Sequence, residues 1–415
     1  MDYQSALSCL RGLERLGYRF RLENTRELLE AVGFGYGGEV VHVGGTNGKG
    51  SCAAALNAVL AEAGHKVGLY TSPELIDFTE RIRVGGAQIP FSVFARYAEE
   101  FKPHIDSMEE KPTFFEATTA LALKYFEDTG VDVMVLEVGM GGRLDSTNAV
   151  DSRLAVVTNV DLDHTGYLGS TVREIAVEKA GIVHEGSALV TAASGEALEV
   201  LEGECRSRNA SIIRVGADVK VRGVSTSLDG TDFTLDTGKR RYSMHSRMRG
   251  SFQAYNMGCA AAAAERLGVS REHITSGVSK AYWPGRLDVV QSKPLVILDS
   301  AHNPAGLASS FGFVRGLEYD RLIIVAGFSR DKDYRTMLKT LSTADVFIAT
   351  RYKSGRSLET GEILRHVRGE AVEDAVEAVE HALKAAGSGD LVFVVGSIFL
   401  VGEAIRRWRG RIDLD

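Results

Sequence analysis

The chain has 415 residues, 44% of them apolar and 25% charged, with a formal net charge of -7. That length exceeds one ordinary hydrophobic core, so two domains are expected in a globular, soluble protein. The mildly acidic balance argues against a general nucleic-acid binder, and no apolar run reaches membrane-spanning length, so neither nucleic acid nor membrane is an expected partner. Met1-Asp2-Tyr3-Gln4 opens no basic segment followed by an apolar core, and Cys9, Cys52, Cys205 and Cys259 lack metal-ligand spacing. A cytoplasmic protein fits this pattern, with Cys52 a packed small side chain.

In chain order, the first strong signal is an apolar strand at 40–43, a glycine loop, and an Ala-rich helix over about 50–64. The loop reads Gly44-Gly45-Thr46-Asn47-Gly48-Lys49-Gly50-Ser51. Such a strand–loop–helix unit cradles a polyphosphate: glycines let backbone N–H groups point inward, Lys49 supplies charge for the outer phosphates, and the Ser51 hydroxyl suits Mg²⁺. Gly50 stands between Lys49 and Ser51, a departure from the strict P-loop pattern.

Further strands are predicted at 67–70, 131–136, 154–158 and 188–191, and helices near 91–102, 114–128, 171–182 and 195–207. This alternation indicates a mainly parallel sheet with helices on both faces. Segments 219–222 and 233–235, separated by Asp229-Gly230, read as antiparallel strands, and a helix follows over 253–267. Tyr282-Trp283-Pro284-Gly285-Arg286 punctuates a boundary. Beyond it, strands at 296–299, 322–326, 346–350 and 391–395 alternate with helices near 305–317, 333–342, 360–367, 372–386 and 398–409.

Polar clusters follow several strands, where open α/β sheets place ligands. Glu137 and Asp145 flank a glycine-rich loop over 137–148. Asp163-His164 follows the next strand, and His164 is either a satisfied loop histidine or part of a site. Lys179 lies on an otherwise apolar helix, either snorkelling outward or held inward. Glu116 opens another helix, where an acid also favours the N-terminus. Asp299 to Pro304 follows a strand of the second domain.

In this order the clusters resemble the folylpolyglutamate synthase and dihydrofolate synthase family, within the muramyl-peptide ligase group. The matching motifs are 45–51, Thr71-Ser72-Pro73 with Glu80-Arg81-Ile82, Phe114-Phe115-Glu116, 137–148, Asp163-His164 and 178–181. Pro284 to Leu287, Asp299 to Pro304, Asp331-Lys332-Asp333 and Gly396-Ser397 complete them. The resemblance implies a ligase that phosphorylates an acceptor carboxylate with ATP and couples it to L-glutamate, on a folate or related pterin. It implies an ATP-binding domain over 1–284 with a mainly parallel sheet and a small antiparallel β element. A smaller Rossmann-like α/β domain over 285–415 would bind glutamate. Closure of the two domains would assemble the site.

By the same resemblance, Thr46, Asn47, Gly48, Lys49, Gly50, Ser51, Gln253, Asn256, Arg286 and Asp299 bind ATP. Ser51, Glu116 and His164 hold a first Mg²⁺, and Lys179, if carbamylated, a second. His302 and Ser397 receive glutamate, Thr71, Ser72, Pro73 and Glu74 shape the acceptor site, and Lys49, His164, Lys179, Arg286 and His302 form the catalytic set. A monomer is the family's default. Departures concentrate in acceptor recognition: Glu74 replaces a usual His, Gly35-Tyr36-Gly37-Gly38 a usual Pro, and Phe252 a common His. Arg351-Tyr352-Lys353-Ser354-Gly355-Arg356 is more basic than the common pattern. The alternatives are the same chemistry on another cofactor-precursor carboxylate, or a nucleotide-binding protein without catalysis. A dehydrogenase is disfavoured, since the first loop lacks Gly-x-Gly-x-x-Gly.

Overall fold

The computed structural model describes residues 1–408. The chain divides into two compact units. The first comprises 1–222, 234–244 and 255–281, and the second 223–233, 245–254 and the chain from Tyr282 onward.

In the first unit, α1 (Tyr3–Arg11) and α2 (Glu23–Ala31) precede β1 (Glu39–Gly44) and α3 (Lys49–Glu62). Then come β2 (Val67–Tyr70), the short strands β3 (Ile82–Val84) and β4 (Ala87–Gln88), α4 (Phe91–Ser107), α5 (Phe114–Asp128) and β5 (Val133–Glu137). The series continues through β6 (Leu154–Val157), α6 (Thr165–Leu168), α7 (Val172–Ala180), β7 (Ala188–Thr191), α8 (Gly195–Ser207) and β8 (Ser211–Arg214). The sheet order is β4-β3-β2-β5-β1-β6-β7-β8. Strands from β2 to β8 pair in parallel, while β3 and β4 add an antiparallel edge. Strands covered on both faces read as continuous apolar runs, as β5 and β6 do. The chain leaves β1 toward β2 on one side and reaches β6 on the other, so the C-terminal ends of β5, β1 and β6 form the crevice expected at a switch point.

Helix α3 is buried almost all round because its first turns are Gly, Ser, Cys and Ala. That small-residue face admits α10 (Arg271–Lys280) so closely that a Cβ on Gly277 would lie 2.4 Å from the Val59 Cα. Next along the chain, β9 (Lys220–Ser227), β10 (Gly230–Asp236) and β11 (Arg241–Ser246) form a three-stranded sheet, followed by α9 (Phe252–Arg266). The link between β9 and β10 is two residues, Leu228-Asp229, so the predicted Asp229-Gly230 turn is shifted by one residue and Gly230 opens β10; β11 is an addition, since its alternating exposure carries few apolar residues.

The second unit orders β12 (Asp288–Ser292), β13 (Leu295–Asp299), β17 (Leu391–Val395), β14 (Leu322–Ala326), β15 (Val346–Arg351) and β16 (Glu370–Asp374) in one sheet. All pair in parallel except β12 with β13. Helices α11 (Pro304–Arg315), α12 (Tyr334–Leu341), α13 (Thr360–Leu364), α14 (Ala375–Ala385) and α15 (Ile398–Ala404) connect them. The core gathers Ile297, Phe311, Ile324, Phe328, Met337 and Phe393. The helix predicted over 372–386 begins later: 370–374 is an edge strand, and Asp374 then caps α14 by accepting from the amides of Val376 and Glu377. The last predicted helix ends as a short 3-10 turn at Trp408, and residue 409 lies outside the described residues.

Candidate active site

The phosphate loop runs from the end of β1 into α3, and its shape is imposed by the strand beside it. Thr46 N donates to Asn159 O (2.9 Å) and Asn47 N to Asn159 Oδ1 (2.9 Å), while Thr158 Oγ1 donates to Asn47 O (2.7 Å). Gly45 has φ 137°, and a Cβ there would meet Thr158 Oγ1 at 2.0 Å. Gly48 has φ 82° and abuts the Asn256 carboxamide, with its virtual Cβ 2.4 Å from Oδ1. Only glycine fits either place. Asn256 therefore lies against the loop, as the resemblance implies for a nucleotide-contacting residue. Gln253, one turn earlier on α9, is fully buried. Gly50 and Ser51 are buried in the first turn of α3, whose amides point back toward the loop.

Two lysines converge on one carbonyl. Lys49 Nζ donates to Gly45 O (3.2 Å) and Thr46 O (3.3 Å), and Lys179 Nζ donates to Gly45 O (2.9 Å). Lys179 is thus held inward and is only 4% exposed. Burial, with the Lys49 charge adding to it, lowers its pKa to about 7. Asp163, Asp145 and Asp161 partly oppose that shift. Asp145 is itself pushed upward by burial, against hydrogen bonds from the Met140 amide and Thr147. His164 caps α6 in the left-handed region (φ 51°), with its Nε2 4.0 Å from Asp163 Oδ2. Strain of this kind is tolerated at sites that fix a side chain.

Two buried carboxylates are candidates for a divalent ion. Glu137 ends β5 in register with Val43, immediately before the loop, and its Oε2 accepts from Ser72 N (3.1 Å). Glu116 is 1% exposed but is engaged at the start of α5, where it forms a capping box with Thr113 and accepts from Asn24 Nδ2 (3.4 Å). Among the described residues, no three His, Cys, Asp or Glu side chains are placed to hold an ion by themselves. A small set of hard donors, Ser51 hydroxyl and one or two carboxylates, suits Mg²⁺ completed by phosphates rather than a protein cage.

Thr71 is buried and Ser72-Pro73 is cis. Glu74, the acid in place of a usual His, is neutralised: its Oε2 is 2.5 Å from Nε of the buried Arg81, and its Oε1 is 3.5 Å from Arg11 Nη2. Arg81 in turn lies 5.4 Å from the Phe78 ring centroid and 5.6 Å from that of Phe114. Glu74 is therefore part of a structural ion pair, and its charge is no argument against an ordinary pterin. The Gly35–Gly38 departure is likewise local, with Tyr36 Oη donating to Asp132 O (2.9 Å).

In the second unit, Asp299 ends β13 beside Val395 of β17, so Asp299 and Ser397 emerge at one end of adjacent parallel strands. Asp299 Oδ2 accepts from Leu287 N (2.8 Å) and Oδ1 from Ala301 N (3.0 Å); burial raises its pKa, and the Arg286 charge opposes this. His302 Nδ1 lies 3.0 Å from Ser300 O, and Ser397 caps α15. The basic 351–356 segment is largely internally paired: Arg351 with Glu359, and Arg356 with Asp331 at 2.7 Å in both cases.

Thr158 and Asn159 hold the loop, yet sequence reasoning gave them no role. The available signal was a Thr-Asn pair directly after the strand beside β1. Lys49, Lys179 and Asn256 do gather at the loop in the first unit. Arg286, Asp299, His302 and Ser397 belong to the second.

The Mur ligase middle domain model matches residues 43–264, and the Mur ligase glutamate ligase domain model matches 285–398. The chain is 39% identical to the probable bifunctional folylpolyglutamate synthase/dihydropteroate synthase of Haloferax volcanii, over 98% of this chain and 51% of that protein. It thus spans about half the length of that relative. It is 34% identical to dihydrofolate synthase/folylpolyglutamate synthase of Bacillus subtilis, covering 98% of this chain and 99% of that one. The solved Escherichia coli FolC complex with DHPP and ADP aligns with a TM-score of 0.90 and 31% identity, over 98% of both chains. A bifunctional folylpolyglutamate synthase/dihydrofolate synthase structure with Mn, AMPPNP and L-glutamate bound aligns at 0.87 and 29% identity, over 97% of this chain and 98% of that one. By these matches the chain belongs to the folylpolyglutamate synthase/dihydrofolate synthase family of the Mur ligases.

Proposed function

We propose that this chain is an ATP-dependent amide ligase that joins L-glutamate to the carboxylate of a folate or related pterin. The observation that carries the reading is the glycine loop with Lys49 and Lys179 on one carbonyl, beside the buried Glu137. The names and bound ligands of the relatives support the same chemistry.

In the first step an acceptor carboxylate oxygen bonds to the γ-phosphorus and ADP leaves. In the second the glutamate nitrogen attacks the acyl carbon, loses a proton, and phosphate departs. Phosphoryl transfer between anions needs neutralisation and alignment more than covalent help. Lys49 is placed to neutralise the outer phosphates once it turns from the Gly45 and Thr46 carbonyls. Thr46, Asn47, Gly48, Gly50 and Asn256 align the polyphosphate, with Gln253, Arg286 and Asp299 as further nucleotide contacts. Bound Mg²⁺ supplies additional neutralisation, held by Ser51 and His164 with a buried carboxylate, Glu137 being the one nearest the loop strand. A lysine whose burial favours the neutral amine is suited to carbamylation, so Lys179 is the proposed second-metal residue. His302 and Ser397 orient glutamate. Ser72 and its neighbours line the acceptor site, with Glu74 and Arg81 holding that loop.

The accompanying assignment is a cytoplasmic monomer; among the described residues no helix is long and apolar enough to cross a membrane. An acceptor panel of dihydropteroate, tetrahydrofolate, a monoglutamylated folate and non-pterin carboxylates tests the reading. We expect glutamate- and Mg²⁺-dependent ADP release with at least one pterin, and a product heavier by one glutamate residue. ATP binding with no release on any acceptor contradicts catalysis, and turnover confined to non-pterin acids favours the alternative substrate.

A further inference from the structure

We propose that Arg249, Asp288 and Tyr282 are positioning residues for Arg286. Together they lock the turn that carries it and so fix the direction in which its guanidinium reaches the nucleotide. This inference rests on the ligase reading above, in which Arg286 contacts ATP.

Arg286 stands between two residues in the left-handed region, Gly285 at φ 70° and Leu287 at φ 46°. Glycine adopts that conformation freely, whereas leucine does not. Among the described residues, the other non-glycine positions with positive φ are His164 and Asn209, types that tolerate it better. Such a conformation persists where its surroundings over-determine it, and here they do. The Leu287 side chain is fully buried in the core of the second unit. Its amide donates to Asp299 Oδ2 (2.8 Å), and its carbonyl accepts from Arg249 Nη1 (3.3 Å). On the other side, the Gly285 amide donates to Asp288 Oδ2 (3.1 Å), and its carbonyl accepts from Ser300 N (2.8 Å). Both neighbours of Arg286 thus have their backbone N–H and C=O bonded, and the turn sets where its side chain departs.

The pins are themselves tied together. Asp288 Oδ2 also accepts from Tyr282 Oη (2.9 Å). Arg249 Nε donates to Leu228 O (2.6 Å), so one guanidinium joins the β9–β10 link to the Arg286 turn. Asp288 is buried; burial pushes its pKa up, and the Arg249 charge opposes this. An arginine, an acid and a phenol must all be desolvated to close this one short turn, which apolar packing would close at less cost. Orienting Arg286 accounts for them. A planar guanidinium meets phosphate oxygens best in a narrow range of approach, and a small misplacement of such a group removes much of its effect.

Tyr282→Phe, Asp288→Asn and Arg249→Lys test the assignment, each made in the unaltered chain and in an Arg286→Met background. Thermal melts check folding; Tyr282→Phe removes a single hydroxyl and keeps the packing, so it carries the test if a charge variant melts early. The readouts are the Kd of ATP with Mg²⁺, measured without acceptor, and kcat and the glutamate KM with the best pterin acceptor. In the unaltered chain we expect each change to raise the ATP Kd several-fold and lower kcat about tenfold, with the glutamate KM within about twofold. In the Arg286→Met background the same changes should alter Kd and kcat by less than about twofold, because the residue they orient is gone. Any shift in melting temperature should be the same in both backgrounds, since it reports the turn and not Arg286. Equal losses of binding and turnover in both backgrounds overturn the proposal and leave the trio a purely structural role. Unchanged constants in the folded variants overturn it too, as does an Arg286→Met chain that binds and uses ATP normally. The Kd cycle needs no acceptor, so failure of the ligase reading, seen as ATP binding without turnover of any pterin, stays distinct from failure of this inference.

Discussion

Lys49→Met is expected to lower glutamate-dependent ADP release by on the order of a thousandfold or more, the scale of losing one well-placed cation in phosphoryl transfer. Methionine, one atom shorter, keeps most of the side chain's packing but removes the charge. The fold should survive, because Thr158 and Asn159 hold the loop through its backbone, independently of the Lys49 side chain. Steady-state kinetics beside a thermal melt separate the two effects. The same substitution removes a positive charge that depresses the Lys179 pKa, so Lys179 should titrate higher in the variant. A variant that keeps near-normal turnover would remove Lys49 from the phosphate site.

Lys179→Met should abolish activity and yet stabilise the protein at neutral pH and below, in bicarbonate-free buffer. The sign follows from linkage. In the folded chain Lys179 loses its proton near pH 7, whereas an unfolded lysine keeps it to about 10.4. Between those values the unfolded state binds more protons, so stability rises with pH. Below about 7 both states are protonated, and the folded state carries the full cost of a buried ammonium, on the order of 4–5 kcal/mol. The methionine variant lacks that cost and should lose this rise. Urea unfolding at pH 6.5 and pH 9 measures the difference between the two proteins. Equal pH slopes would mean that Lys179 is not buried as a neutral amine.

The phosphate loop and the strands around it were legible because strand, glycine turn and helix succeed one another within a short stretch. Their burial on both faces leaves little alternative to a parallel sheet. Elements with mixed exposure were less so: β16 alternates exposed and half-buried residues, so its acids read as the start of a helix. α1 and α2 drew no reading, although each buries one stripe under α4 and α5. Within the site, residue type pointed to Lys49 and Lys179, but partners distant in the chain did not show. Glu74 looked like an unusual acid in the acceptor loop until Arg81 and Arg11 were found to neutralise it. Glu116 was read as a metal ligand from its place at a helix start, and the fold adds a partner the sequence did not show, Asn24, 92 residues away. Tertiary pairing decides what a charge does, and a single sequence does not carry that pairing.

The most direct test of the ligase mechanism follows oxygen from the acceptor. An acceptor labelled with ¹⁸O in its reacting carboxylate is turned over with ATP, Mg²⁺ and glutamate, and the released phosphate is analysed by mass. Formation of an acyl phosphate and its displacement by the glutamate amine requires one ¹⁸O to leave with phosphate. Labelled phosphate in step with amide product is the predicted result. Unlabelled phosphate, or phosphate released without amide, would contradict the mechanism and point to water as the nucleophile.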